Sequence, residues 1–424
     1  MHFNILVFPC GSEIGLEIYR SLKFSRHITL FGANSVDDHG KFVYENYISG
    51  LPFYNEPGFV DELKQIINDH KIDAIYPAMD TVISFLKQIE DKLGCKVIAP
   101  SVETANVCLS KLRTYNILKD TIRVPALYPD VDLINSFPVF LKPDIGYGSR
   151  GTKKANSFTE VKNHLLNYPD SLVLEYLPGK EFTVDCFTDR KGILHYFGVR
   201  ERSRIQNGIS VNTKPYGEYD LEISNIVKLI NKKIKFSGAW FVQLKENSDG
   251  ELTLLEIAAR LGGSSSLNRN RGVNFALLSV FNAFDLDVEV FANTYQIELD
   301  RALDNKYKLS IQYQTVYCDF DDCLLLDEKI NTQLLSFLYQ CINDGKRIVL
   351  ITKHEKDINL TLKEKRLSQT FDEIIHITSG DKKYEYLKEL NSIFIDDSHL
   401  ERKEVFDKLG IPVFAPDNVE CLIK

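Results

Sequence analysis

The sequence predicts a multidomain protein of mixed α/β and α+β class. Three observations carry this. Short apolar strand candidates alternate with amphipathic helix candidates over residues 4–99, extended segments separated by glycine-containing turns dominate residues 120–300, and a second β-α-β rhythm runs from residue 315 to the end. The units they define are 1–100, 101–305 and 313–424.

In the first unit, strand candidates at 4–8, 27–31, 74–76 and 96–99 are interleaved with helix candidates at 13–22, 59–69 and 82–93, the rhythm of a parallel sheet. Pro100 followed by Ser101 then reads as a helix start, with half of a capping box because Thr104 stands where Glu or Gln completes it. In the second unit the extended segments are 139–142, 172–176, 183–187, 193–199, 240–245 and 252–257, with helices between some of them. After the polar stretch 301–308, the third unit reads as strands at 315–318, 347–351, 392–395 and 412–415 with a helix at 332–343. No internal repeat or low-complexity tract is visible.

The 424 residues are 44% hydrophobic and 26% charged, which excludes a disordered chain. Fifty-one Lys and Arg against 59 Asp and Glu give a net charge of −8, so a nucleic-acid or anionic-membrane surface is not expected, while a local basic pocket for phosphates stays open. Eight cysteines lack a CxxC pair or zinc-like spacing and read as reduced structural thiols. With no cationic leader at Met1 and no apolar run of about 18–20 residues, the expectation is a cytoplasmic protein.

Lys142 ends an apolar strand and is followed by Gly146, Gly148, Ser149 and Gly151. Glycines let backbone N–H groups approach phosphate oxygens, and the ammonium supplies charge. Alone, this is also an ordinary glycine-rich hairpin beside a lysine. Beyond it, Glu175 and Glu181 flank a Pro178-Gly179 turn, and Gln243 and Glu256 sit inside apolar strands, where a polar side chain is costly without a partner. Oxygen donors on neighbouring strands suit a hard cation, and Arg260 beyond them can clamp a transferring phosphoryl group. Arg200, Arg202 and Arg204 alternate, so an extended chain points all three to one side, as a solvated face or as a site for an anion. Asn268, Arg269 and Arg271 are further substrate candidates, Gly11 and Gly15 read as backbone approach to a substrate, and Ser12 belongs to a loop placed to choose the ligand.

Together these residues resemble the ATP-grasp superfamily, in particular the carbamoyl-phosphate-synthase-like carboxylate–amine ligases, over about residues 1–300. The resemblance implies a pre-ATP-grasp α/β domain followed by an ATP-grasp fold. It implies that Lys111 and Lys142 hold ATP phosphates, that the loop carrying Gly146, Gly148, Ser149 and Gly151 closes over them, and that the backbone of Glu175, Tyr176 and Leu177 meets adenine. Glu181 would bind ribose, Gln243 and Glu256 Mg²⁺ (with Mn²⁺ as the alternative), and Arg260 would stabilise an acyl phosphate. One position departs: Ala258 stands where the family carries a metal-binding Asn.

In the third unit, Asp319 and Asp321 follow an apolar strand, Asp396 and Asp397 end another, Thr352 ends a third, and Lys383 follows a Gly-Asp turn. Parallel strands deliver such ends to one edge, where one carboxylate can attack phosphorus and another shuttle a proton. These residues resemble the motifs of the haloacid dehalogenase superfamily. That resemblance implies a capless Rossmann-like domain with Asp319 as nucleophile, Asp321 as general acid/base, Thr352 and Lys383 (or its neighbour Lys382) on the phosphate, and Asp319, Asp321, Asp396 and Asp397 around Mg²⁺.

The expectation is a bifunctional enzyme: an ADP-forming ligase joining a small carboxylate to an amine or amino acid, fused to a Mg²⁺-dependent phosphatase of a phosphorylated metabolite. Two other readings stay open, a phosphatase with a nucleotide-binding regulatory module and a kinase of a hydroxyl substrate. The sequence leaves the oligomeric state open.

Overall fold

The computed structural model describes residues 1–424 apart from Tyr147, Ser149, Glu218, Tyr219, Lys308 and the side chain of Asp220. It divides into two compact units, Met1–Asp304 and Asn305–Lys424. Among the described residues no helix is long and apolar enough to cross a membrane.

The first unit opens with a parallel sheet of five strands, β1 (Phe3–Phe8), β2 (Ile28–Ala33), β3 (Asn46–Ile48), β4 (Ala74–Pro77) and β5 (Lys96–Val97), in the order β3-β2-β1-β4-β5. The near-continuous apolar run Ile5-Leu6-Val7-Phe8 suits the central strand of a sheet covered on both faces, and all four side chains are buried. The chain leaves β1 into the helix Glu13–Leu22, whose first turn is capped by Ser12: its Oγ accepts from Gly15 N at 3.0 Å. It leaves β4 into the helix Asp80–Gln88. Ser12 and Asp80 thereby come to the same sheet edge, the carboxyl ends of the strands.

Three antiparallel strands follow, β6 (Val139–Pro143), β7 (Lys153–Ala155) and β8 (Ser171–Glu175), in the order β7-β6-β8. The largest sheet has six, β9 (Glu181–Thr188), β10 (Leu194–Gln206), β11 (Ile209–Pro215), β12 (Gly238–Glu246), β13 (Leu252–Ala258) and β14 (Leu299–Asp300), ordered β13-β12-β9-β10-β11-β14. The fourth extended segment expected from the sequence ends at 199. The strand instead continues to Gln206 and turns back through Asn207 (φ 50°) and Gly208 (φ 75°), an Asn-Gly hairpin. The expected break near residue 100 marks a change of sheet, and Ser101 does cap a helix there, Val102–Leu109. The packing is continuous across it, because Phe3, Ile5 and Ile18 share one core with Leu261, Phe275 and Val280.

The second unit is a parallel sheet of β15 (Thr315–Cys318), β18 (Arg347–Thr352), β19 (Glu373–His376), β20 (Ser392–Ile395) and β21 (Val413–Phe414), ordered β19-β18-β15-β20-β21. A hairpin of β16 (Leu325–Leu326) and β17 (Lys329–Ile330) lies between the first two in sequence. β15 is the topological switch point, with chain connections running away on either side, so ligands are expected beyond its carboxyl end. Asp319 is the next residue. Between Asp319 and Thr352 only the hairpin and the helix Thr332–Asn343 intervene, in keeping with the expected lack of a large insertion there.

Candidate active sites

In the first unit, the three-stranded and six-stranded sheets wall a cavity of about 200 Å³ that continues into a second lobe of about 320 Å³. Lys111, Gly146, Gly148, Arg202, Gln243 and Glu256 border both. Lys142, at the end of β6, is buried and donates from Nζ to Leu255 O at 2.9 Å. Burial lowers its pKa to about 7, and the cation of Lys111 pushes the same way while Glu256 opposes. Lys111 is the first residue of the helix Lys111–Leu118, and its Nζ donates to Asp144 O (3.1 Å) and Gly146 O (3.4 Å). Asp144 in turn accepts from Ser110 Oγ and from Leu112 N. The base of the glycine loop is thus tied to the helix start. Gly148 (φ 61°) and Gly151 (φ 69°) adopt the left-handed backbone that favours glycine, and Ser149 lies outside the described residues.

The Glu175 carboxylate accepts from Ala126 N (3.1 Å) and Arg123 Nη2 (3.2 Å). Glu175, Tyr176 and Leu177 line the smaller lobe. Glu181 lies 3.1 Å from Arg202 Nε and 3.5 Å from Lys245 Nζ. Gln243 and Glu256 face each other across β12 and β13 in register, so their oxygen atoms project from one face of the sheet. Such hard donors fit a divalent cation. Ala258, two residues on, offers no ligand atom and pairs in register with Phe241. Arg260 donates three hydrogen bonds of 2.9–3.0 Å to the Asp80 carboxylate at the edge of the parallel sheet, and both groups border the larger lobe.

Several substrate candidates fall outside these lobes. Arg204 pairs with Asp300 (2.8 Å) near the surface, because register shifts on either side of it break the alternation with Arg200 and Arg202. Arg269 is held by the buried Glu17 at 2.9 Å, and Arg271 donates to Asn293 O. At Gly11 a Cβ would lie 1.7 Å from Asp38 Oδ1, so a side chain there would have to displace that carboxylate. Ser12, Arg200 and Arg202 do border the larger lobe.

The depressed pKa of Lys142 yields a prediction. The free protein holds this lysine half-neutral near pH 7, whereas a phosphate oxyanion beside it favours the ammonium, so binding takes up a proton above that pH. ATP affinity should therefore fall as pH rises from about 7 to 9, by up to about tenfold per unit. Calorimetry at about pH 8.5, in two buffers of different ionisation enthalpy, should show uptake approaching one proton in the wild type and none in Lys142→Met.

In the second unit, Lys383 Nζ sits between two buried carboxylates, 2.7 Å from Asp319 Oδ1 and 2.6 Å from Asp396 Oδ2. Asp319, Asp396 and the exposed Asp397 each place an oxygen within 4.8 Å of the others. Burial and mutual repulsion raise the carboxyl of Asp319, and burial raises that of Asp396, with Lys383 pulling both back. One ammonium against three carboxylates leaves negative charge that a divalent cation suits. Lys382 pairs with Glu404 at the surface, leaving Lys383 as the lysine of the cluster. Thr352, fully buried at the end of β18, accepts at Oγ1 from His354 N.

Asp321 departs from the expectation that it joins the metal-binding carboxylates. Its two oxygens lie 2.9 and 3.0 Å from His354 Nδ1, and it is absent from the cluster. The ring of His354 is fixed in turn by Thr361 Oγ1 at 3.0 Å and packs edge-on to Phe320. The sequence reading missed His354, since nothing local links it to a residue 33 positions away. Lys383→Met would leave Asp319 and Asp396 uncompensated. It should cost about 3–5 kcal/mol at neutral pH, partly recovered on acidification as the carboxyls protonate, which urea denaturation at two pH values measures.

Comparison with known proteins bears on the first unit. Residues 167–302 match the family model described as ATP-grasp in the biosynthetic pathway with Ter operon. The D-alanine–D-alanine ligase of Thermotoga petrophila is 25% identical over 174 residues, 38% of this chain and 57% of that one. The chain thus spans little more than half the length of this curated relative. Among solved structures, the biotin carboxylase domain of Hydrogenobacter thermophilus 2-oxoglutarate carboxylase, in complex with MgADP and bicarbonate, superposes with a TM-score of 0.57 at 18% identity, over 69% of this chain and 72% of that one. The N5-carboxyaminoimidazole synthetase of Staphylococcus aureus complexed with ADP gives 0.57 at 16%, over 68% and 79%. The chain therefore shares its fold with these solved structures, and residues 167–302 resemble an ATP-grasp family model. The relatives matched in sequence include this ligase and, at 23% identity over 187 residues, the carbamoyl-phosphate synthase of Methanobrevibacter smithii.

Proposed function

We propose that the first unit is an ADP-forming carboxylate–amine ligase. The observation that carries this reading is the convergence of Lys111, Lys142, Gln243, Glu256 and Arg260 on one two-lobed cleft. Lys111, Lys142 and the glycine loop hold the ATP phosphates. Gln243 and Glu256 would hold Mg²⁺, which would supply charge neutralisation on the phosphates. A substrate carboxylate oxygen attacks the γ-phosphorus and the bond to ADP breaks. An amine then attacks the carbonyl of the acyl phosphate, inorganic phosphate leaves, and the amine gives up a proton. Arg260, steadied by Asp80, donates to the oxygens on which charge develops. ADP formation by the purified protein that requires both an acid pool and an amine pool tests this. ADP formation indifferent to both would overturn it.

We read the second unit as a phosphohydrolase of the haloacid dehalogenase type, supported by the Asp319–Lys383–Asp396 cluster at the switch point of a parallel sheet. Asp319 would attack the phosphorus of a phosphate ester, the ester P–O bond breaking as the alcohol leaves with a proton from Asp321; water would then attack the phosphorus, freeing Asp319 and inorganic phosphate, while Lys383 pairs with the phosphate oxygens. Asp321, held by His354, is the proton carrier nearest in sequence. Mg²⁺ at Asp319, Asp396 and Asp397 would offset the repulsion between nucleophile and phosphate.

A further inference from the structure

Resting on the ligase reading of the first unit, we propose that the acid consumed there carries a second oxyanion, and that Arg200 and Thr183 bind it. Four side chains stand in register across the central sheet: Glu256 on β13, Gln243 on β12, Thr183 on β9 and Arg200 on β10. Residues opposite one another in a sheet project from the same face, and all four border the larger lobe. Glu256 and Gln243, at one end of the row, fit the metal and the reacting group. The other end is unaccounted for.

Arg200 and Thr183 are 3% and 1% exposed. Arg200 Nη1 and Thr183 Oγ1 are buried and have no hydrogen-bond partner among the described residues. Buried donors are nearly always satisfied, so two on adjacent strands at one cavity wall point to a ligand that satisfies both. The guanidinium is pre-set for this. Its Nε and Nη2 donate to Asp185 at 2.7 and 3.3 Å, and Asp185 also accepts from Asn268 Nδ2, itself fixed by Tyr196 Oη. Gly262 leaves room for it, since a Cβ there would come within 3.0 Å of both Arg200 Nη2 and Asp185 Oδ1.

A guanidinium edge with a hydroxyl beside it matches a carboxylate or phosphate, whose oxygens accept several bonds at once. Strands lie roughly 4.8 Å apart, which puts Thr183 about 10 Å across the sheet from Glu256. The reacting carboxylate cannot reach both ends of the row. A dianion of about five backbone atoms can, as a dicarboxylate or a phosphorylated acid.

The test is calorimetric binding to the full-length protein loaded with a non-hydrolysable Mg-ATP analogue. Glutarate is compared with butyrate, and 3-phosphoglycerate with glycerate. In at least one pair the dianion should bind about tenfold or more tightly than its monoanion, and the pair that shows it separates carboxylate from phosphate. Thr183→Val, nearly isosteric and free of charge loss, should reduce that preference at least threefold, whereas Arg200→Lys risks stranding Asp185. Equal affinities within both pairs, no binding in either, or a preference unchanged by Thr183→Val would each overturn the proposal. A dianion preference without ADP release in the presence of ATP and amines would instead count against the ligase reading and leave this site standing. ADP release with monoanions and no preference would do the reverse.

Discussion

Asp319→Asn should abolish hydrolysis of phosphate esters by the second unit, with a fall of at least about 10³-fold in kcat, and leave ADP formation in the first unit unchanged. The amide keeps the shape of the carboxylate and can no longer attack phosphorus. It should also remove charge from a buried, mutually repelling pair, because Asp319 and Asp396 share the single ammonium of Lys383 at 2.7 and 2.6 Å. The variant should therefore be at least as stable as the wild type without metal. Activity on p-nitrophenyl phosphate with Mg²⁺, followed by urea denaturation of the same samples, checks both halves. Full hydrolysis by Asp319→Asn would remove this carboxylate from the chemistry.

Arg260→Met should cut ADP formation by about 10²–10³-fold, the range found when a donor to developing charge is removed. The loss should fall on kcat more than on the KM for ATP, because Arg260 borders the larger lobe and not the smaller one that Lys142 lines. Removing it also strands Asp80, which receives three of its hydrogen bonds. The pair Arg260→Met with Asp80→Asn should restore stability without restoring activity. Steady-state kinetics alongside thermal unfolding separates the two roles. Restored turnover in the double variant would mean that Arg260 serves only to neutralise Asp80.

These expectations rest on features of unequal visibility in the sequence. Strand ends were legible, because Lys142, Thr352 and Asp396 each follow an apolar run whose termination is a local matter, and the structure ends β6, β18 and β20 within a residue of them. The alternation of Arg200, Arg202 and Arg204 was legible only as far as the strand stays regular. A bulge depends on pairing with β11, so Arg204 turns to Asp300 instead of the cleft. Contacts between distant side chains left no local trace. Arg260 meets Asp80 across 180 positions, Arg269 meets Glu17 across 252, and Asp321 meets His354. Gly11 is ambiguous for a related reason, since a glycine making room for a neighbouring carboxylate and one making room for a substrate look alike in sequence.

The ligase reading requires that the first unit activate a carboxylate through an acyl phosphate. Hydroxylamine intercepts acyl phosphates as hydroxamates and replaces an unknown amine. Protein carrying Asp319→Asn, supplied with Mg-ATP, a pool of carboxylic acids and hydroxylamine, should release ADP and form a hydroxamate in equal amounts by mass spectrometry, and Glu256→Gln should remove both. ADP accompanied by a phosphorylated hydroxyl product and no hydroxamate, or no ADP with any acid in the pool, would contradict it.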